Sequence, residues 1–290
     1  MPSATSYGAL LDALRGVSWP ARRVVRGAAL GTHRSRLRGV SPEFTEYRPY
    51  RQGDDPRQLD WKLLARTDRA YLRITSDRAT LGTVVIVDAS ASMAYPAGAC
   101  AKWEHACRLA IGLIAVAHAS GDPVGIVVPT PDGARHLAPR TRRGVVAEAA
   151  RLLAGIAPAG GAPLAPAFAH VRPGLRIAVV SDLLGDGDDK ALARAAHERI
   201  IGGGEVEAVH VVAREELVPP DAAVMATDPE QPALRRPLVE TTREGYALAF
   251  AAWRAETART WRDAGAGYTE VITDEPAEHA VRRIARDVMT

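Results

Sequence analysis

The chain has 290 residues, 47% hydrophobic and 24% charged, a balance that excludes a disordered polypeptide and allows one or two domains around a sizeable core. Lys and Arg number 37 against 34 Asp and Glu, a net charge of +3, so the bulk balance points to no polyanionic partner and no nucleic acid is expected. No apolar run reaches the roughly 18 to 20 residues that cross a bilayer, and Asp12 and Arg15 interrupt the only apolar stretch near the N-terminus. A cytoplasmic location is therefore expected.

In chain order, Tyr7 to Gly31 reads as a helix pair broken at Trp19-Pro20, with Leu10, Leu11, Leu14, Val24 and Val25 as apolar faces. Arg15, Arg22, Arg23, Arg26, Arg34, Arg36 and Arg38 fall between Ala13 and Pro42 with no acid among them. This segment reads as a solvated basic face followed by an arm that salt-bridges to the rest of the chain. It is also the one part suited to peripheral contact with an anionic membrane, or to nucleic acid, although no aromatic residue is interleaved between Ala21 and Val40. From His33 to Thr80 charges alternate without long apolar runs, so residues 1–80 form an arm that should lie against the domain at 81–290.

From Leu81 onward strands alternate with helices, the pattern of a doubly wound, mostly parallel sheet with helices on both faces. Strands are predicted at Thr83–Asp88, Val124–Thr130, Ala134–Ala138, Arg176–Asp182, Val206–Ala213 and Tyr268–Thr273. Helices are predicted at Ala101–Ala119, Arg143–Ala154, Asp189–Ile201, Glu244–Ala264 and Pro276–Val288. The Pro-rich stretch from Val218 to Pro237 fits neither period and should be a loop or short hairpin outside the sheet. Cys100 and Cys107 lie on one predicted helix, about 10.5 Å apart at 1.5 Å per residue, beyond disulfide reach.

The first of these strands ends in Asp88-Ala89-Ser90-Ala91-Ser92-Met93. A carboxylate followed by two hydroxyls at alternate positions places three oxygens around one point, which suits a hard cation such as Mg²⁺ or Mn²⁺ that keeps part of its water shell. Asp and Ser are also ordinary turn residues, so a plain turn is the competing reading. A second strand ends in Ser181-Asp182. In open sheets, ligands sit beyond the carboxyl ends of strands where the strand order reverses. Usual winding puts that reversal between these two strands, so Asp182 should face the Asp88 loop.

The D-x-S-x-S pattern resembles the metal-ion-dependent adhesion site (MIDAS) of von Willebrand factor A domains. The stretch before the sheet carries a more specific resemblance: Glu43-Phe44, Arg48 and Tyr50, Gly53-Asp54-Asp55, Arg57 with Asp60-Trp61, and Ala65-Arg66. In this order they resemble the signature of bacterial domain of unknown function 58 proteins, von Willebrand factor A-like chains associated with MoxR-type AAA+ ATPases. The resemblance implies a von Willebrand factor A-like (Rossmann-like) fold at 81–290 with the 1–80 arm packed on it. It also implies a MoxR-type AAA+ ATPase as partner, with this chain as an adaptor in chaperone-like assembly or remodelling. Related sites carry a Thr in a Gly-Gly-Thr loop that supplies another metal hydroxyl. Here the loop reads Gly160-Gly161-Ala162, and Ala162 has no oxygen to give.

The charged signature has two readings. Glu43, Arg48, Asp54, Asp55, Arg57, Asp60 and Arg66 form an ion-pair network fastening the arm, with Phe44 and Trp61 as apolar anchors, or they form a docking face. No G-x-S-x-G elbow and no G-x-x-x-x-G-K-[ST] loop is present, and no second metal cluster is evident for phosphoester hydrolysis. The expected function is thus a non-enzymatic interaction module in which Asp88, Ser90, Ser92 and Asp182 hold a cation that accepts an acidic residue of a protein ligand. Metal-dependent phosphoester hydrolysis and nucleic-acid binding through the arginine-rich segment are the alternatives.

Overall fold

The computed structural model describes residues 7–22, 30–34, 44–51, 54, 59–75, 78–96, 101–161, 163–185, 189–219, 224–229 and 233–286. In chain order the elements are α1 (Gly8–Ala13), β1 (Leu30–Arg34), β2 (Phe44–Pro49), α2 (Trp61–Thr67), β3 (Tyr71–Thr75), β4 (Arg78–Ala79), β5 (Thr83–Val87) and α3 (Ala101–Ala119). They continue with β6 (Val124–Thr130), β7 (Gly133–Arg140), α4 (Val145–Ala154), β8 (Arg176–Ser181), α5 (Asp189–Ile201), β9 (Glu205–Val212) and α6 (Arg214–Leu217). The remainder are β10 (Val224–Thr227), β11 (Arg235–Leu238), α7 (Glu240–Asp263), β12 (Gly267–Ile272) and α8 (Ala277–Arg286). Two compact units result, Met1–Trp19 with Gly82–Thr290, and Pro20–Leu81.

The larger unit is built on a six-stranded sheet of order β12-β9-β8-β5-β6-β7, parallel except for the edge hairpin β6–β7. This is the α/β architecture that the alternation of strands and helices predicts. The inner strands are rich in Val, Ile and Ala and are buried along their whole length, including Arg176 of β8 and Glu205, Glu207 and His210 of β9, as a sheet covered on both faces requires. Side chains alternate between two cores: Val85 and Val87 of β5 join one with α1, α3, α4 and α8, whereas Val84 and Ile86 join the other with α5 and α7. On the first face Tyr7, Leu10, Leu14 and Trp19 are buried in the core, so the opening helix groups with the sheet. Gly112 of α3 permits the close approach there, since a Cβ would meet Val281 at 2.8 Å and Leu14 at 3.1 Å.

At the N-terminal end of β8, the buried Arg176 guanidinium stacks 4.3 Å from the Trp19 ring and donates to the Trp19 carbonyl at 3.0 Å and to Glu205 Oε2 at 3.1 Å. After β9 the Pro-rich stretch forms the small antiparallel hairpin β10–β11. No helix among the described residues is long and apolar enough to cross a membrane.

In the smaller unit β2 pairs with β3 and β1 with β4, both antiparallel, where the alternating charge pattern predicts no strands. Two expectations change here. Residues 20–22 are not helical and 23–29 fall outside the described residues, so of the expected helix pair only α1 is seen. Trp61 is not an apolar anchor, because it opens α2 on the solvent side and is 62% exposed. The reason is local. Asp60 is the N-cap, accepting the Lys62 and Leu63 amides at 3.1 and 3.0 Å, and it fixes Trp61 at the first helical position.

Candidate functional site

The carboxyl ends of β5 and β8 lie side by side, with Val87 in register with Val180, and the chain leaves β5 through α3 toward β6 on one side while β8 returns on the other. The reversal of strand order therefore falls between the two strands that end in Asp88 and Asp182. Asp88 keeps its backbone tied to the sheet by donating its amide to Val180 O at 2.9 Å. Its side chain then turns the loop: Oδ1 accepts the Ser90 amide at 2.8 Å, and Oδ2 accepts the Ser181 hydroxyl at 2.5 Å. Ser181 in turn accepts the Leu183 amide at 2.9 Å, and Asp182 Oδ1 accepts the Leu184 amide at 3.1 Å.

Ser90 and Ser92 bring their hydroxyl oxygens to 3.0 Å of each other on a single turn of 3₁₀ helix at Ala91–Ala94. The third loop meets them, with Ala159 donating to Ala89 O at 2.9 Å and Gly160 accepting from Ala91 at 2.7 Å. Gly160 takes φ +62°, a left-handed conformation that glycine adopts without strain. Ala162 itself lies outside the described residues. All four side chains are buried, Asp88, Ser90 and Ser92 at 4 to 5% exposure and Asp182 at 1%.

Two further residues join the cluster, Lys102 and Glu216. Lys102, in the first turn of α3 and 1% exposed, donates to Asp182 Oδ2 at 2.6 Å and to Glu216 Oε1 at 2.7 Å. Its ammonium lies 5.6 Å from the centre of the Tyr95 ring. Glu216, in α6, uses its other oxygen to accept the Ala213 amide at 2.7 Å, and its carbonyl accepts the Tyr246 hydroxyl of α7 at 3.1 Å. One ammonium thus ties the start of α3 to the segments that follow the carboxyl ends of β8 and β9.

Burial and the neighbouring Asp182 charge push the Asp88 carboxyl up to about 6, while its hydrogen bonds from Ser181 and Ser90 pull it down. Burial works to lower the Lys102 ammonium, but Asp182 and Glu216 outweigh it and hold it above its ordinary value, so it stays charged. Burial raises the Glu216 carboxyl against the pull of Lys102. Beside the cluster on β9, burial drives His210 down to about 4 despite Asp182, leaving a neutral ring 2.5 Å from the Tyr268 hydroxyl.

Among the described residues no three His, Cys, Asp or Glu side chains converge as metal ligands, so serine hydroxyls must complete any donor set. The residues fit a hard divalent cation in two respects. Ser90, Ser92, Asp88 and Asp182 are all oxygen donors, and the carboxylates of Asp88, Asp182 and the part-buried Glu216 outnumber the one ammonium, which pairs with the last two, so the cluster is short of positive charge.

The charged signature residues do local work. Arg48 pairs with Asp54 at 2.7 Å, and Asp54 also accepts the Arg51 amide at 2.8 Å. That pairing holds the Asp54 carboxyl below its ordinary value. Asp60 caps α2 and accepts the Tyr47 hydroxyl at 2.8 Å, and Arg66 is exposed in the last turn of that helix. Glu43, Asp55, Arg57, Cys100 and the side chain of Phe44 lie outside the described residues. Cys107 is a buried free thiol.

The sequence pattern of the family described as "Protein of unknown function DUF58" matches residues 46–256. Over 275 residues the chain is 31% identical to "Uncharacterized protein Rv1480" of Mycobacterium tuberculosis H37Rv, across 91% of this chain and 85% of that one. Similar solved structures include the conserved hypothetical protein BatB from Bacteroides thetaiotaomicron, 19% identical with a TM-score of 0.44 over 72% of this chain and 98% of that chain. Another is a von Willebrand factor type A structure from Catenulispora acidiphila, 18% identical with a TM-score of 0.42 over 73% of this chain and 43% of that chain.

Proposed function

The chain belongs to the DUF58 family, and from that premise we propose that it is a non-enzymatic protein-interaction module whose crevice at Asp88, Ser90, Ser92 and Asp182 engages an acidic side chain of a partner. The observation that supports this most is the apposition of Asp88 and Asp182 at adjacent strand ends, with Ser181 hydrogen-bonded to Asp88. Ser90 and Ser92 would hold the cation through their hydroxyls, with Asp88 and Asp182 supplying the neighbouring carboxylates. Mg²⁺ or Mn²⁺, when bound, supplies a hard, incompletely satisfied positive charge that a carboxylate can join.

The partner class comes from the resemblance in the sequence. It is a MoxR-type AAA+ ATPase, with this chain as its adaptor in assembly or remodelling of other complexes. Capture of that ATPase on immobilised protein in Mg²⁺ is the test. Capture should disappear with a chelator and with Asp88→Ala, while circular dichroism of the variant stays that of the wild type. Equal capture in the chelator overturns the cation-bridged reading.

A further inference from the structure

Lys102 is the feature of this cluster that the reading above leaves without a role. It is buried to 1% and sits on the core-facing stripe of α3 with Ala106, Leu109 and Leu113. A lysine in such a position is rare, because burying its ammonium is tolerated only where carboxylates compensate it. Here two do, and neither lies on its own helix.

We propose that Lys102 is the specificity-determining positioning residue of the crevice, setting the charge that a loaded site presents to its visitor; this rests on the cation-bridged reading above. Asp88, Asp182 and Glu216 contribute three negative charges and Lys102 one positive, so the cluster stands at −2 and a divalent ion brings it to neutrality. Without the ammonium the loaded cluster would remain at −1 and repel an acidic side chain. Lys102 therefore weakens the hold on the ion and strengthens the acceptance of a carboxylate. It also fixes Asp182 through Oδ2 while Leu184 fixes Oδ1, so the carboxylate is oriented from both sides. Glu216 carries the opposite effect, since it adds a negative charge without touching Asp182.

Two substitutions of opposite sign test this. Mn²⁺ binding is followed by the electron paramagnetic resonance of the free ion, and carboxylate entry by the fall in water-proton relaxation when hexaglutamate is added to the Mn²⁺-loaded protein. Lys102→Met should bind Mn²⁺ roughly tenfold more tightly and hexaglutamate roughly tenfold more weakly, and Lys102→Arg should restore both. Glu216→Gln, which keeps Lys102 in place, should shift both in the opposite direction and decides the matter if Lys102→Met does not fold. Both variants moving Mn²⁺ affinity in the same direction, or neither moving it, overturns the role of Lys102 while leaving the cation reading standing. Absence of Mn²⁺ binding by the wild-type protein overturns the cation reading and this inference with it.

Discussion

The crevice between β5 and β8 and the smaller unit at Pro20–Leu81 use the same chemistry under different solvation. In the first, Lys102 and Asp182 are each 1% exposed, and in the second Arg48 and Asp54 are 27% and 23% exposed. Both pairs are short. The difference lies in what water does when a pair is broken: an exposed partner is resolvated, whereas a buried one is left as an uncompensated charge. Charge in the smaller unit is therefore local scaffolding, and charge in the crevice fixes the electrostatic character of the whole strand-end cluster.

The two regions should differ most at Lys102. Lys102→Met should lower stability by about 3–5 kcal/mol in urea denaturation, the usual cost of stranding a buried carboxylate, whereas Arg48→Met should leave the midpoint of the sheet unit within error. Equal effects would remove the distinction between the two regions.

The next test is pH. Asp88 stands at about 6 in the folded chain against an ordinary 3.8, so the folded state holds its proton more tightly than the unfolded one. Its contribution to stability is full below about pH 4 and is lost as pH rises through about 6, on the order of 2–3 kcal/mol. Thermal melts from pH 4 to 7.5 should show that loss, and Asp88→Asn should flatten it. Added Mg²⁺ should raise the Tm more at pH 7.5 than at pH 5, because only the ionised cluster lacks positive charge.

Smaller effects belong to the second unit. Asp60→Ala removes the N-cap of α2 and should cost about 1 kcal/mol, read as faster hydrogen exchange at the Lys62 and Leu63 amides that Asp60 holds. Smallest of all, Trp61→Ala should change stability by less than about 0.5 kcal/mol, as exposed substitutions do, and its fluorescence should be quenched readily by acrylamide.

The fold was legible wherever one period dominated. The apolar runs Val84–Val87 of β5 and Ile177–Val180 of β8 announce buried parallel strands, and an Asp soon after each run marks where the chain turns. Asp88 and Asp182 were readable for that reason. Ser181 carries a bond to Asp88 that depends on strand register, which spacing along the chain does not encode. Lys102 and Glu216 were missed because their partners lie on other helices and loops. A signal existed for Lys102, a cation on the apolar 102, 106, 109, 113 stripe. Trp61 shows the opposite case: its aromatic ring suggests an anchor, but its place after the Asp60 cap turns it to water. The β2–β3 pairing arose from segments too rich in charge to show a strand period.

The Arg176 stack on Trp19 has a mechanical corollary. Trp19 is the last residue of the sheet unit before the polypeptide passes into Pro20–Leu81, and its ring and carbonyl are gripped at the near end of β8, the strand whose far end leads into Asp182. A tug on the connecting segment is thus delivered to a central strand of the sheet before it can peel away α1, along the same strand that carries the crevice.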